Sequence, residues 1–168
     1  MAANVYQPHL LLLIEDDANR QIVNGFDNHP SIAPRRLDPG KVAGGWLAVL
    51  AKFENEHISL LRKYPLRHLV MVIDFDACDG AAIEARRNRF LAAIPEDLRD
   101  RVFLIGCSNE PEKLVSATRF GFEEIGRRLA QDCADGTDDM WNHPMLGHNA
   151  GELARLRAIV RPFLFAGR

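Results

Sequence analysis

A chain of 168 residues is long enough to bury a core without disulfides or structural metals, and it is most simply one domain. Its 47% hydrophobic and 26% charged residues are ordinary globular values. A formal charge of −2 excludes a bulk basic footprint for nucleic acid while leaving local basic patches open. The three cysteines, Cys78, Cys107 and Cys133, are odd in number and widely spaced, which points to free thiols in a reducing compartment. Cys78 lies among acids, but no histidine stands near it in sequence, so a small filler residue is expected there rather than a nucleophile. No apolar run approaches the roughly 18 residues of a membrane span, and Leu10 to Ile14 lacks the basic flank and cleavage site of a signal peptide. The expectation is a soluble, cytoplasmic protein with no membrane partner.

After a short polar lead-in, Leu10 to Ile14 is an apolar run that stops at Glu15, Asp16 and Asp17. From Ala18 to about Phe26, Ile22, Val23 and Phe26 recur at helical spacing, and Asp16 or Asp17 is placed to cap that helix. Ile32 to Leu37 reads as a short strand, which Pro34 confines to an edge or an irregular segment. DPGKVAGGW is a loop, without the full spacing of any phosphate-binding motif. Trp46 to Tyr64 predicts a long amphipathic helix with Trp46, Leu47, Leu50, Phe53, His57, Leu60 and Leu61 on one face, His57 being read as packed rather than ligating. Leu69 to Ile73 is a buried strand ending in Asp74, Asp76, Asp79 and Gly80, with a helix through Ile83, Phe90 and Leu91 behind it and IPEDLRD as a turn. Arg101 to Gly106 is a further strand, ending in the polar stretch CSNEPEKL. FGFEEIGRRLAQDC is helical, and residues 134 to 149 read as a solvated polar loop in which His143 and His148 lack metal-ligand spacing. ELARLRAIVRPFLF closes the chain as a helix and a short apolar end.

Strands alternating with helices imply an α/β fold: an open, mainly parallel sheet of about four to five strands with helices on both faces. One fold unit covers residues 1–168, with 134–168 as a C-terminal loop and helix extension. In such sheets ligands bind outside the carboxyl ends of the strands, which is where the acids fall. On an extended backbone Asp74 and Asp76 point the same way, and two adjacent carboxylates repel unless a cation lies between them. Magnesium takes one or two carboxylates together with phosphate oxygens, so Glu15, Asp74 and Asp76 are candidate ligands if their strands are neighbours.

Glu15 in LLLIEDDANR, with Asp74 and Asp76 in VIDFDACDGAAI, resembles the TOPRIM (topoisomerase-primase) domain, which has a glutamate after its first strand and an aspartate-x-aspartate motif after a later one. Asp79 and Gly80 are similar to the acid and glycine that follow the pair, though one residue later. SNEPEKLV resembles an element of small defence-associated TOPRIM proteins, which would bring Glu110, Glu112 or Lys113 near the metal site. The resemblance covers about residues 9 to 130. It implies a metal-dependent nuclease using Mg2+ or Mn2+, with Glu15, Asp74, Asp76 and Lys113 catalytic and Glu15, Asp74, Asp76 and Asp79 as metal ligands. Lys113 would steady the phosphate, with Arg35 and Arg36 as further candidates that read equally well as a solvated pair. The implied partners are nucleic acid, DNA or RNA, and an ATPase of the kind that small defence-type TOPRIM proteins pair with.

A second resemblance is to response-regulator receiver domains. There Asp74 would accept a phosphoryl group, Ser108 would act as the hydroxyl switch, and Arg161, Pro162 and Phe163 would stand where that family has lysine, proline and phenylalanine. Arginine is not a neutral exchange for lysine at a phosphate contact, and the interval from Asp17 to Asp74 is stretched by the Trp46 helix. A third possibility is a catalytically silent interaction module that keeps the fold.

Overall fold

The computed structural model describes residues 3–77 and 79–165. Four parallel strands, β1 (His9–Ile14), β2 (Leu37–Asp38), β3 (Arg67–Val72) and β4 (Val102–Ile105), form one open sheet in the order β2-β1-β3-β4. β1 and β3 pair over their full lengths, from His9 with Arg67 to Ile14 with Val72. These central strands are almost continuously apolar because both of their faces are covered. The even-numbered residues Leu10, Leu12, Ile14, Val70 and Val72 share one core with α1 (Asp17–Asp27), α5 (Pro111–Thr118), α6 (Phe122–Asp135), α7 (Ala150–Ile159) and α8 (Arg161–Leu164). The odd-numbered Leu11, Leu13, Leu69, Met71 and Ile73 pack against α2 (Trp46–Lys52), α3 (Ile58–Lys63) and α4 (Gly80–Ala93). Two connections fix this division. The chain passes from β1 through α1 to β2 on one side, then crosses back through α2 and α3 to β3 on the other, and a consistent crossover hand puts the two sets of helices on opposite faces.

The first helix begins where expected, with Asp16 as its N-cap accepting from the Asn19 N–H at 2.9 Å. Its pairing with α6 depends on two glycines: a Cβ on Gly25 would lie 1.9 Å from the Glu123 carbonyl oxygen, and one on Gly126 would lie 1.9 Å from that of Ile22. The long helix from Trp46 is interrupted by a π-helical turn, Phe53–His57, and His57 is partly buried with its Nδ1 lacking a hydrogen-bond partner. The edge strand near Pro34 proves to be Leu37–Asp38, a little later than the spacing suggests, and IPEDLRD forms a 3-10 helix at Glu96–Arg101. Helix α5, started by Pro111 at its first position, lies inside the stretch read as polar. The short apolar end is α8, whose following residue Phe165 makes an antiparallel bridge to Ile32.

The segment 134–149 is not a solvated loop. Met140, Trp141 and Leu146 are buried in the core beneath the sheet, and Asp132 ties the segment down by accepting from the Met140 N–H at 2.7 Å, the Trp141 N–H at 3.2 Å and the Thr137 hydroxyl at 2.9 Å. The chain that follows protects the open edge of β4. Glu152 accepts from the Leu104 N–H, and the Asn149 side-chain amide pairs with both the N–H and the C=O of Gly106, so outward-facing strand groups are satisfied by side chains. Among the described residues no helix is long and apolar enough to cross a membrane.

Candidate active site

The strand order reverses direction between β1 and β3, since the chain leaves β1 towards β2 and leaves β3 towards β4. The carboxyl end of that gap is the crevice where open α/β sheets bind ligands. Glu15 and Asp74 stand there, immediately beyond β1 and β3, and they touch: the Asp74 N–H donates to Glu15 Oε2 at 2.7 Å. Both side chains are buried, and Asp74 Oδ1 accepts from the Asn19 side-chain amide at 3.0 Å. The same amide also donates to Asp16 Oδ1, so Asn19 bridges the cap of α1 to the carboxylate of β3.

Burial raises the Asp74 pKa to about 7, against the Asn19 hydrogen bond, and the neighbouring charges of Asp16, Glu15 and Asp76 push it further up. Glu15 is raised as well, again chiefly by burial and then by Asp76 and Asp16, while the backbone N–H groups of Asp74 and Trp46 favour its charged form. Burial and the nearby acids thus both oppose the ionisation of Glu15 and Asp74. Behind them Gly44 and Gly45, both at positive φ (97° and 122°), turn their N–H groups onto the Glu15 carbonyl oxygen at 2.9 and 3.2 Å. Only glycine adopts such backbone angles freely, so the DPGKVAGGW loop holds the end of β1 in place.

Asp76 departs from the expected arrangement. The ladder continues past both strands, with the Phe75 N–H on the Cys107 carbonyl and the Ala77 N–H on the Ser108 carbonyl, but Asp76 sits between them at φ 47°. The left-handed residue breaks the alternation that would align its side chain with Asp74. Asp74 is 6% exposed and the Asp76 side chain 50%, with its Oδ2 3.9 Å from Arg86 Nη1. Among the described residues no group of three or more His, Cys, Asp or Glu side chains is arranged to hold a metal ion. Carboxylate oxygens are the donors a hard cation takes, one or two of them from the protein, but Glu15 and Asp74 meet here through the Asp74 main-chain N–H rather than through their two carboxylates.

The remaining sequence candidates have definite places. Asp79 is the N-cap of α4, its Oδ1 accepting from the Ala82 N–H at 2.8 Å. Lys113 is exposed in the first turn of α5 and donates to Asn109 Oδ1 at 3.0 Å, on the same sheet edge as the acids. Arg35 and Arg36 lie at the other edge. They precede Leu37, which pairs with Leu10 near the start of β1, and Arg36 donates to the Pro8 carbonyl. A six-residue strand separates them from Glu15 by roughly 17–20 Å, too far for one phosphate. The cation that does reach the acids is Arg86 of α4, which the sequence reading passed over. Its guanidinium donates to the Asp74 carbonyl at 3.3 Å and lies 4.0 Å from the Trp46 ring centroid. No periodic signal marks Arg86 among the adjacent arginines of EARRNRF; only the placement of α4 against β3 singles it out.

Cys107 and Cys133 are buried free thiols whose pKa values burial pushes up to about 12 and about 11, so neither is poised as a nucleophile, and Cys78 lies outside the described residues. The Arg161-Pro162-Phe163 segment is helical, and the Arg161 guanidinium is hydrogen-bonded to the Ala134 carbonyl. Comparison with known proteins returned no matching family model, curated protein or solved structure.

Proposed function

We propose that the chain is a metal-dependent phosphodiester-cleaving protein of TOPRIM type, a cytoplasmic nuclease acting on DNA or RNA. The observation that carries this reading is the contact between Glu15 and Asp74 at the strand-order reversal of the sheet. A resident Mg2+ or Mn2+, held by Glu15 and Asp74 with Asp76 nearby, would supply an activated water and neutralise charge on the transferring phosphate. The chain's own groups have separate tasks. Asn19 fixes the Asp74 carboxylate, and the Gly44-Gly45 turn fixes Glu15. Arg86, between Asp76 and the Asp74 backbone, takes the phosphate-steadying role in place of Arg35 and Arg36, with Lys113 at the rim. With a formal charge of −2, tight nucleic-acid binding would draw on a partner, and an ATPase is the partner that the resemblance suggests.

A cleavage assay on single- and double-stranded substrates, with and without Mg2+ or Mn2+, tests this reading. Asp74→Ala is expected to lower metal-dependent cleavage by about 100-fold or more, and Arg86→Ala to weaken it mainly through KM. Unchanged cleavage in both Asp74→Ala and Asp76→Ala would sink the proposal.

A further inference from the structure

Beneath the sheet, on the α1, α6 and α7 side, lies a cavity of about 110 Å³. Its wall is made almost wholly of aliphatic and aromatic side chains, among them Val23, Phe26, Leu129, Trp141 and Leu153. Native interiors leave few voids larger than a water molecule, so a space of this size is an exception to ordinary packing. A polar occupant has little to bond to. Arg157 and Arg161 reach the wall, but the first is paired with Asp138 at 2.8 Å and with the Thr137 carbonyl, and the second with the Ala134 carbonyl. Arg157 Nε has no hydrogen-bond partner, but each guanidinium already faces a carboxylate or carbonyl oxygen, which leaves little charge for an anionic head group. Water is disfavoured too, because a stable buried water needs two to four polar partners.

We propose that this cavity is a binding site for a small uncharged apolar molecule, a single aromatic ring or a short aliphatic chain. Dry apolar cavities of comparable size, about 150 Å³, are known to take up benzene and xenon. A second opening of about 210 Å³ under the 138–150 segment shares Trp141, Leu146, Leu153 and Arg157 with the first. At its other end the wall includes Asn19, whose amide holds Asp74, so the occupant sits directly behind the carboxylate cluster. The proposal does not depend on the reaction assigned to that cluster.

Benzene and xenon serve as the test molecules, on the full chain. Benzene near saturation is expected to raise the unfolding midpoint by about 3–7 °C, the shift for a ligand present at some tens of times its Kd. The xenon NMR shift is expected to vary with protein concentration in a saturable way. Val23→Phe, which fills the cavity, is expected to remove both responses. A linear, unsaturable xenon shift with no benzene stabilisation in the wild type would overturn the proposal, whether or not the variant folds. So would equal benzene stabilisation in wild type and a folded Val23→Phe.

Discussion

Replacing Asp74 by asparagine is expected to make the protein more stable at pH 8 while removing the metal-dependent cleavage proposed for it. The carboxyl is buried, its pKa is raised from 3.8 to about 7, and an asparagine side chain can still accept from Asn19. A group whose folded pKa lies above its unfolded value contributes stability that is complete below pH 3.8 and is lost as pH rises through about 7. Above that pH the wild type holds an unfavourable buried charge that the variant lacks. At about 1.4 kcal/mol per pKa unit, the gain is on the order of 2–4 kcal/mol once structural relaxation is allowed for. Denaturant unfolding of both proteins between pH 4 and pH 8.5 checks this: the two curves should nearly coincide at pH 4 and separate through pH 7. The histidines His9, His57, His68 and His148 act in the opposite sense, because burial lowers their pKa values and their contribution is lost as pH falls below about 6.5. Since both proteins carry these histidines, their difference isolates Asp74. A wild type more stable than the variant at pH 8 would mean that Asp74 is structural rather than functionally strained.

The second large effect is expected at Asp132. Truncation to alanine leaves the buried Met140 and Trp141 N–H groups and the Thr137 hydroxyl without their acceptor, in a segment that carries Trp141 and Leu146 into the core. Losing hydrogen bonds to a charged acceptor and stranding buried donors costs about 3 kcal/mol, a fall in Tm of roughly 6–12 °C for a chain of this size. Asp132→Asn, which keeps an acceptor, should recover part of the loss. A scanning-calorimetry shift below 2 °C for Asp132→Ala would show that the 134–149 segment is not anchored as described.

The sheet was legible because β1, β3 and β4 are short apolar runs bounded by polar residues, and buried parallel strands need little else. Asp16 was legible as a cap because capping depends on local spacing. What escaped depends on contacts distant in sequence or on single backbone angles. The positive φ of Asp76 carries no residue signature, so strict alternation placed its side chain beside Asp74 when it turns towards Arg86. Arg35 and Arg36 read as site candidates or as a solvated pair with equal weight because a sequence does not say which end of a sheet a loop occupies until the pairing of β2 is known. Residues 134–149 look solvated because Met140, Trp141 and Leu146 follow no helical or strand period; apolar burial drives these side chains inward, and Asp132 satisfies the Met140 and Trp141 N–H groups that are buried with them.

The divalent-cation site proposed for Glu15 and Asp74 lies where the strand order reverses. Calorimetric titration of the purified chain with Mn2+ at pH 7.5 tests it most directly. One ion per chain is expected, with partial proton release as the raised carboxyl pKa of Asp74 falls on binding, and loss of the heat signal in both Glu15→Gln and Asp74→Asn. No binding to the wild type, or binding unchanged in both variants, would contradict it.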